Sequence, residues 1–263
     1  MTGEIREKIA EAQMVLVGIG KEMEEKFHDM PQDAEYAGLL KQAREMGQKE
    51  AIEQYVRLAW LRTHPDGRKK AAYGALAGFL AGKNYFIVTL CADDAIFGSG
   101  LEESRIVAPC GGFRALQCPS CQEENPADGL YTDPGLWEEP VSRICSGTPL
   151  SGIPFPRCPK CGKLLSFNQI GTDGYLEEGY LPQWEKYRKW LQGTLNRRLC
   201  ILELGAGMEY PSVIRFPFER VAFFNRKAEL VRVHSRLYQM TAELSGRGLS
   251  VPADPADFLL EEQ

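Results

Sequence analysis

The chain has 263 residues, of which 44% are apolar and 25% charged, and its net charge is −5. This balance is typical of a folded globular protein, and the negative charge gives no electrostatic support for a nucleic-acid or anionic-membrane partner. No apolar run approaches the roughly 18 residues of a membrane span, and residues 1–13 are too charged for a signal peptide. We therefore expect a cytoplasmic protein.

The first third of the chain reads as a strand, a glycine turn and a long helical segment. Residues 14–17 form a short apolar run, typical of a buried strand, and lead into Gly18-Ile-Gly20. In a dinucleotide-binding fold such a turn lets backbone N–H groups approach a phosphate, whereas a simple strand-ending turn is the alternative interpretation. Residues 33–82 have helical spacing almost throughout, with a break at the turn 64–67, so we predict helices there.

The stretch 83–121 carries a second predicted strand and the polar positions expected of a ligand site. Its apolar run 85–90 is short enough for a buried strand, and the run ends on Cys91-Ala-Asp93. Open α/β sheets bind their ligands at the carboxyl ends of the strands. A second turn, containing Cys110, follows a short apolar piece. The sequence therefore places a candidate site at the end of this strand.

Two Cys-x-x-Cys pairs, Cys118 with Cys121 and Cys158 with Cys161, predict a metal site. Four thiolates are the usual ligands of tetrahedral zinc in a closed structural site, which leaves no open position for catalysis. Redox-active pairs or free thiols are the alternatives, but eight cysteines without an export signal favour metal over disulfides. Residues 122–156, between the pairs, are rich in proline and glycine and are predicted to form a loop.

The last third reads as a strand, a second glycine turn, a helix and another strand. We predict strands at residues 198–204 and 229–234, with a helix at residues 211–224 between them. The first of these strands ends on Gly205-Ala-Gly207. This turn also resembles the first motif of S-adenosylmethionine-dependent methyltransferases. However, only 56 residues follow Gly207, too few for the rest of the sheet in that fold.

Five longer motifs follow the order found in one enzyme family. They are Asn84-Tyr-Phe-Ile-Val-Thr89 with Asp93, Phe113-x-x-x-Gln-Cys118, Pro156-x-Cys158-Pro-x-Cys161-Gly162, Leu202-Glu-Leu-Gly-Ala-Gly207 and Pro211-x-x-Ile-Arg215-Phe-Pro-Phe-Glu219. Together they resemble the sirtuins, and most closely the microbial class M branch. The resemblance implies an α/β fold: a Rossmann-like parallel sheet from residues 1–111 and 168–263, with a helical insertion at 21–82 and a zinc-binding module at 112–167.

The resemblance also implies a reaction. Sirtuins cleave the nicotinamide–ribose bond of NAD and pass the ADP-ribosyl unit to an acyl oxygen, which gives deacylation, or to a protein side chain. Class M members resemble the second type and modify a lipoylated carrier protein. An acylated or lipoylated carrier is therefore the implied partner, NAD the implied cofactor and zinc the structural metal. The implied cofactor-binding residues are Gly18, Gly20, Gly205, Gly207 and His234.

The departures from the family pattern fall on its chemistry. The family's catalytic His, or Gln in class M, aligns with Cys110; the Asn of its Asn-x-Asp motif aligns with Cys91, whereas Asp93 is retained. The ribose-binding Asn aligns with His234, and Glu22 follows the first glycine turn, where a carboxylate would repel a pyrophosphate. A thiol with a pKa of about 8.5 is a poorer base at neutral pH than an imidazole with a pKa of about 6.5.

Three interpretations of Cys91 and Cys110 remain open at this stage: a redox-sensitive pair, a thiolate that attacks the sugar carbon, or two apolar residues in an inactive site. We predict that Asp93 would orient the nicotinamide end and that catalysis is weak or absent. The alternative is a non-catalytic protein that binds a nucleotide or a partner on the same scaffold. A methyltransferase is the third candidate.

Overall fold

The computed structural model describes residues 3–27, 29–47, 49–121, 125–244 and 246–261. The strands are β1 (Met14–Ile19), β2 (Asn84–Thr89), β3 (Ile106–Val107), β4 (Gly111–Gln117), β5 (Leu130–Tyr131), β6 (Ser166–Gln169), β7 (Leu199–Leu204), β8 (Ala228–Val233) and β9 (Gly248–Val251). The helices are α1 (Glu4–Glu11), α2 (Ala34–Glu45), α3 (Lys49–Thr63), α4 (Gly67–Leu80), α5 (Gly135–Cys145), α6 (Leu181–Gln192), α7 (Arg215–Phe224) and α8 (Pro255–Glu261). Among the described residues, no helix is both long and apolar enough to cross a membrane.

The main sheet has six parallel strands in the order β3-β2-β1-β7-β8-β9. The chain runs outward from β1 through β2 to β3, returns to β7 beside β1, and then runs outward on the other side. The strand order therefore reverses between β1 and β7, and their carboxyl ends border the crevice where such sheets bind ligands. Every residue of β1 and β7 is buried, as expected of strands covered by helices on both faces. The predicted Rossmann-like sheet is confirmed.

Two apolar cores cover the two faces of this sheet. Val15 and Val17 point into a core shared with α1, α4 and α8, whereas Leu16, between them, points into a core shared with α6 and α7. This alternation follows from the two-residue period of a strand. Burial of these aliphatic side chains stabilises the sheet by about 1.5–3 kcal/mol for each residue fully removed from water.

A third core belongs to the inserted module and to the helices that precede it. The module contains an antiparallel sheet in the order β5-β4-β6, and its apolar side chains pack with those of α2, α3 and α5. Tyr55 of α3 lies at the centre of this core, with its ring against Phe155 and Phe167 and its hydroxyl donating to the Leu165 carbonyl at 3.0 Å. Helix α3 is thus tied to the module rather than to the main sheet.

Two local predictions were wrong. The proline-rich stretch 122–156 is not simply a loop: residues 122–124 lie outside the described residues, but the rest contains α5. Trp137, Val141 and Ile144 occupy one face of that helix and are buried, so its helical spacing outweighed the proline signal. Helix α7 begins at Arg215 rather than at residue 211, which places Pro217 in its first turn, where no backbone donor is needed.

Candidate active site at the carboxyl edge of the sheet

The two glycine turns meet at the crevice between β1 and β7. The Gly20 N–H donates to the Leu204 carbonyl at 2.8 Å, and a Cβ added at Gly20 would lie 2.1 Å from the Gly205 carbonyl oxygen. Gly205 has φ +67°, a conformation that favours glycine. Gly18 is placed differently, because an added Cβ there would lie 2.6 Å from a methyl group of Ile214. Gly18 therefore lets α7 pack against β1.

A small cavity of about 280 Å³ opens beside these turns and is lined in part by Gly205, Gly207 and His234. The Glu22 carboxylate also lines this cavity and is held across it. One oxygen accepts from the Ser235 N–H at 3.1 Å, and the Ser235 hydroxyl donates to the carboxylate as well. The other oxygen lies 3.1 Å from His234 Nδ1, a contact that is an ion pair only when the imidazole is protonated. The Glu22 carboxylate therefore lies beside the backbone turns that would approach a phosphate, and Lys21 and Lys26 line the same cavity.

His234 is held as a neutral acceptor by the backbone. Its Nδ1 accepts from the N–H groups of Arg236 and Leu237, both at 3.1 Å. Burial lowers the pKa of His234, and the positive charges of Arg215 and Arg232 lower it further, although Glu22 opposes them. The predicted cofactor-binding residues Gly205, Gly207 and His234 thus lie together on one cavity.

Asp93 lies at the end of β2 and is only 7% exposed. One carboxyl oxygen accepts from the Glu25 N–H at 2.6 Å and the other from the Ala95 N–H at 3.1 Å. Burial raises the pKa of Asp93, and these two donors oppose the rise. The neighbouring Ala92 N–H donates to Glu24 at 2.7 Å, so both ends of this short turn are held by carboxylates. The contacts of Asp93 therefore fix the turn that follows β2 against the turn that follows β1.

Cys91 and Cys110 lie on opposite faces of the sheet, each in the apolar core of its own face. Cys91 donates to the Gly20 carbonyl at 3.3 Å. Burial raises the pKa of Cys91 well above its usual value, and the charge of Asp93 adds to the rise. Burial raises the pKa of Cys110 to about 11, although the Lys21 ammonium favours the ionised form of both thiols. Both side chains are therefore neutral thiols at pH 7.

The four cysteines of the two Cys-x-x-Cys pairs form one cluster. Their sulfur atoms all lie within 4.8 Å of one another, with Cys118 and Cys161 3.5 Å apart and Cys121 and Cys158 3.7 Å apart. Zinc–sulfur bonds of about 2.3 Å in a tetrahedron place neighbouring sulfurs about 3.8 Å apart, so the donor set and its spacing fit Zn²⁺. The predicted cysteine cluster is confirmed, and it fits a structural zinc ion.

Charged residues to which the sequence analysis gave no role hold the second glycine turn in place. Arg215 donates to the Ala206 carbonyl at 3.0 Å and to the Leu237 carbonyl at 2.7 Å, which joins the turn to the loop after β8. Arg232 pairs with the fully buried Glu203 at 2.5 Å. Glu203 and Arg232 are register partners on β7 and β8. Opposite charges within two apolar strands were the signal that could have found this pair.

No family model matches the chain. Over 185 residues the chain is 24% identical to a protein ADP-ribosyltransferase of Staphylococcus aureus, covering 70% of this chain and 57% of the relative. Over 158 residues it is 26% identical to a probable bifunctional ADP-ribose hydrolase/ADP-ribosyltransferase of Fusarium oxysporum, covering 58% of this chain and 26% of the relative. The matched regions thus span little more than half of one relative and a quarter of the other.

Solved structures similar to this chain include Sir2 proteins. A Sir2 enzyme aligns with 99% of this chain and 95% of its own, with a TM-score of 0.57 and 13% identity. A Sir2 homologue in complex with NAD aligns with 100% and 92%, with a TM-score of 0.56 and 16% identity. A third, bound to a propionylated peptide, aligns with 98% and 94%, with a TM-score of 0.52 and 13% identity.

The chain has the Sir2 fold. The predicted resemblance to the sirtuins is confirmed at this level, and the relatives named as ADP-ribosyltransferases agree with a divergent sirtuin-like protein. The sequence motifs predicted this fold although the sequence identity to these structures is only 13–16%.

Proposed function

We propose that this sirtuin-like protein descends from NAD-dependent enzymes of protein ADP-ribosyl transfer or deacylation and that its own catalytic site is impaired. The Sir2 fold and the two relatives named as ADP-ribosyltransferases support the reaction class. The crevice between β1 and β7 is where such a sheet would bind the dinucleotide. Gly20, Gly205 and Gly207 would approach its phosphates and ribose, and Gly18 would support them from beneath α7.

The observation that carries the proposed impairment is the state of the two thiols. By the resemblance to the sirtuins, Cys110 would take the position of the family's base, and burial raises its pKa to about 11. Cys91 is held as a donor to the Gly20 carbonyl, and burial raises its pKa well above the usual value. A neutral thiol accepts a ribose hydroxyl proton poorly, and only a thiolate is an effective sulfur nucleophile. Of the three interpretations of these cysteines, the inactive site is best supported.

The four-cysteine cluster would hold one Zn²⁺ ion, which would join the two Cys-x-x-Cys pairs. Cys118, Cys121, Cys158 and Cys161 fill all four positions of a tetrahedron, so the metal would supply stability and no catalytic step. Asp93 would fix the turn below the nicotinamide end through its two backbone contacts. His234 would face the ribose with a neutral ring.

The protein acted on in the family reaction would be an acylated or lipoylated carrier. One of the similar Sir2 structures holds a propionylated peptide and another holds a p53 peptide with NAD. These support a protein substrate in general, and the resemblance to class M suggests the lipoylated carrier in particular. The acylated carrier and the lipoylated carrier are therefore tested separately.

The test is nicotinamide release from NAD in the presence of an acylated carrier and, separately, a lipoylated carrier. We expect release no faster than in buffer alone. The double variant Cys110→His/Cys91→Asn restores the family's residues and should raise the rate, whereas the matched control Cys110→Ser/Cys91→Ser should not. Robust release by the unaltered chain would contradict the impaired site.

A second candidate, a non-catalytic nucleotide-binding protein, is favoured by the cavity that persists beside Gly205, Gly207 and His234. A thermal-shift titration with ADP-ribose separates the two. A rise in melting temperature, together with no turnover of NAD by either the unaltered chain or the Cys110→His/Cys91→Asn variant, supports this candidate, because a ligand that binds only the folded state stabilises it. If neither NAD nor ADP-ribose raises the melting temperature, the nucleotide site itself is refuted, and S-adenosylmethionine is the next ligand to titrate.

A further inference from the structure

Three exposed apolar side chains lie at the amino edge of the main sheet, around the end of helix α7. Phe223 and Phe224 occupy the last turn of α7 and are 50% and 69% exposed, and their rings meet edge to face with their centres 5.2 Å apart. Leu195 lies on the turn before β7 and is 65% exposed. Exposed apolar side chains that lie together mark interaction surfaces, whereas isolated ones are ordinary.

Asn225 joins the two segments that carry these side chains. It is buried, and its side-chain amide donates to the Thr194 carbonyl at 3.0 Å and to the Arg197 carbonyl at 3.1 Å. Asn196, in the same turn, has φ +60°, a conformation that asparagine adopts more readily than most residues. The turn that carries Leu195 is thus fixed beside the end of α7, and the three apolar side chains belong to one surface.

Five exposed cationic side chains surround the apolar ones, and none of the five has an ion-pair partner among the described residues. They are Arg197, Arg198, Arg220, Arg226 and Lys227. Arg220 lies on the same outer face of α7 as Phe223 and Phe224. The Lys227 carbonyl accepts from the Leu199 N–H at 3.3 Å, which brings the cations before β8 beside those before β7. The three apolar and five cationic side chains are called the amino-edge patch below.

The carboxylates near the amino-edge patch do not cancel its charge. Glu219 pairs with the buried Arg232 at 2.8 Å, and Glu229 pairs with Lys8 at 2.6 Å. Glu11 lies at the border, on a cavity of about 70 Å³ that two of the five cations also line. Because the whole chain has a net charge of −5, a positive patch leaves the rest of the molecule more negative still. Such a charge distribution would orient the molecule on an anionic surface.

The shape and charge of the amino-edge patch favour a lipid surface over other occupants. A second copy of the chain, packed through the same patch, would bring two sets of five cations together. Single-stranded nucleic acids stack bases on open ring faces, whereas here the edge of one ring covers a face of the other. At a bilayer, protruding rings enter the boundary between headgroups and acyl chains, and Arg and Lys reach the headgroups on long stems.

We propose that the amino-edge patch binds the surface of an anionic lipid bilayer. Leu195, Phe223 and Phe224 enter the bilayer boundary, and the five cations contact the anionic headgroups. The six residues of β7 separate this surface from the glycine turns by about 20 Å, so lipid binding does not depend on NAD. The net charge of the chain gave no reason to expect such a surface, because it sums over all the charges of the sequence.

The test is cosedimentation of the whole chain with vesicles of phosphatidylcholine alone and with vesicles that contain about one-third phosphatidylglycerol. We expect the anionic vesicles to bind at least about a hundredfold more tightly, because each of the cations contributes at the surface. Binding should weaken when the salt concentration rises from about 0.1 M to about 1 M, since the Debye length falls from about 10 Å to about 3 Å. No binding to anionic vesicles at the lower salt concentration would overturn the proposal.

Two double variants separate the apolar contribution from the charges. Phe223→Ser/Phe224→Ser should weaken binding to anionic vesicles by about tenfold or more, because it removes the apolar area that enters the bilayer. Arg226→Gln/Lys227→Gln should weaken it by about thirtyfold, as expected for two cations at an anionic lipid surface. All four side chains are exposed, so both variants should keep the melting temperature of the unaltered chain.

Matched controls lie elsewhere on the same molecule. Phe216→Ser is the control for the rings, because Phe216 is 49% exposed but lies two turns earlier on α7, about 10 Å from Phe223. Lys41→Gln/Arg44→Gln, on the exposed side of α2, is the control for the charges. Neither control should change the affinity. Losses as large as those of the patch variants would overturn the assignment of binding to the amino-edge patch.

A tryptophan at the patch reports whether the ring enters the lipid. The fluorescence of Phe224→Trp, above that of the four native tryptophans, should shift to shorter wavelength on anionic vesicles and be quenched by brominated acyl chains. Phe216→Trp should show neither change. Binding of a DNA duplex or of polyglutamate without binding of anionic vesicles would overturn the proposal, because it would identify a polyanion rather than a bilayer as the partner.

Discussion

Gly20 is the residue at which a single atom would most disturb the crevice. An added Cβ would lie 2.1 Å from the Gly205 carbonyl oxygen and 2.2 Å from the Ala206 Cα, both of them backbone atoms. We expect Gly20→Ala to lower the free energy of unfolding by about 1–3 kcal/mol, since one of the two turns must move. Denaturant unfolding measures the change.

Gly38 offers the matched control for that substitution. It lies within α2, and an added Cβ would meet nothing within 4 Å. Gly38→Ala should therefore raise the free energy of unfolding by about 0.5–1 kcal/mol, because alanine is the better helix former. Equal effects of the two substitutions would show that the two glycine turns do not meet as described.

Asp94 gives the protein a specific dependence on pH. Burial raises the pKa of Asp94 to about 7, whereas in the unfolded chain it is about 3.9. The folded state therefore holds the extra proton between these values, and the contribution of Asp94 to stability is lost as the pH rises through 7. Asp94→Asn stays neutral and suits the φ of +58° at this position, so it should be more stable than the unaltered chain at pH 8.

The measurement is unfolding of both proteins in denaturant at pH 5 and at pH 8. The advantage of Asp94→Asn should be largest at pH 8 and should shrink towards pH 5, where the wild-type carboxyl group is protonated in the folded state. The same advantage at both values would show that the carboxyl group is not buried with a raised pKa.

At the scale of the elements, β7 and β8 are joined by a buried ion pair as well as by their backbone. Arg232 is 1% exposed and contacts Glu203, Glu219 and the Gln239 carbonyl. Arg232→Met would leave the fully buried Glu203 without its partner, so we expect a loss of about 3–5 kcal/mol in the free energy of unfolding. The double variant Glu203→Met/Arg232→Met should recover much of this loss, since it leaves no buried charge unpaired at that position.

An exposed pair on α5 is the control for that series. Arg143 and Glu139 lie one helical turn apart at 2.6 Å, both largely exposed. Arg143→Met should change the free energy of unfolding by no more than about 0.5 kcal/mol, because exposed helical pairs contribute little. A loss at Arg143 as large as that at Arg232 would contradict the importance of burial.

Some helices and strands were predictable from sequence patterns, and others were not. Strands β1, β2, β7 and β8 were found because central parallel strands are short, predominantly apolar runs. Helix α5 was missed because its buried apolar positions stood among prolines and glycines, which are the strongest local signals of a loop. Strand β9 was not predicted, since only one of its four residues, Val251, is buried at this edge of the sheet.

At the scale of the whole molecule, the cores suggest that the metal affects only part of the protein. The four-cysteine cluster belongs to the core that α2, α3 and α5 share, whereas the main sheet has two cores of its own. We expect one zinc ion per chain by elemental analysis. Removing it with a chelator should increase amide hydrogen exchange in α3, α5, β4 and β6, and much less in β1, β7 and β8.

Variants distinguish the effect of losing the metal from other effects of the chelator. Cys158→Ser should reproduce the loss of zinc and the same pattern of exchange. Cys145→Ser should do neither, because Cys145 lies outside the cluster at the end of α5. Uniform exchange throughout the chain after metal loss would show that the three cores unfold as one unit.

The candidate site was predictable in its position but less so in its contacts. Strand ends and glycine turns placed Gly20, Gly205 and Asp93 near one another, because a parallel sheet brings the carboxyl ends of its strands to one edge. No pattern along the chain could show that Cys91 and Cys110 point to opposite faces of that sheet, because this depends on where each loop leaves its strand. Nor could it show that Glu22 reaches Ser235, 213 residues away.

The order of strands in the sheet has a consequence for the emerging chain during synthesis. Met14 of β1 pairs with Asn84 on one side and with Leu199 on the other. After β2 and β3 have left the ribosome, the second edge of β1 stays unpaired until the inserted module and α6 have been synthesised and β7 follows. An unpaired apolar strand edge is prone to intermolecular pairing. We therefore expect the nascent protein to be most vulnerable to aggregation while its two Cys-x-x-Cys pairs are being translated.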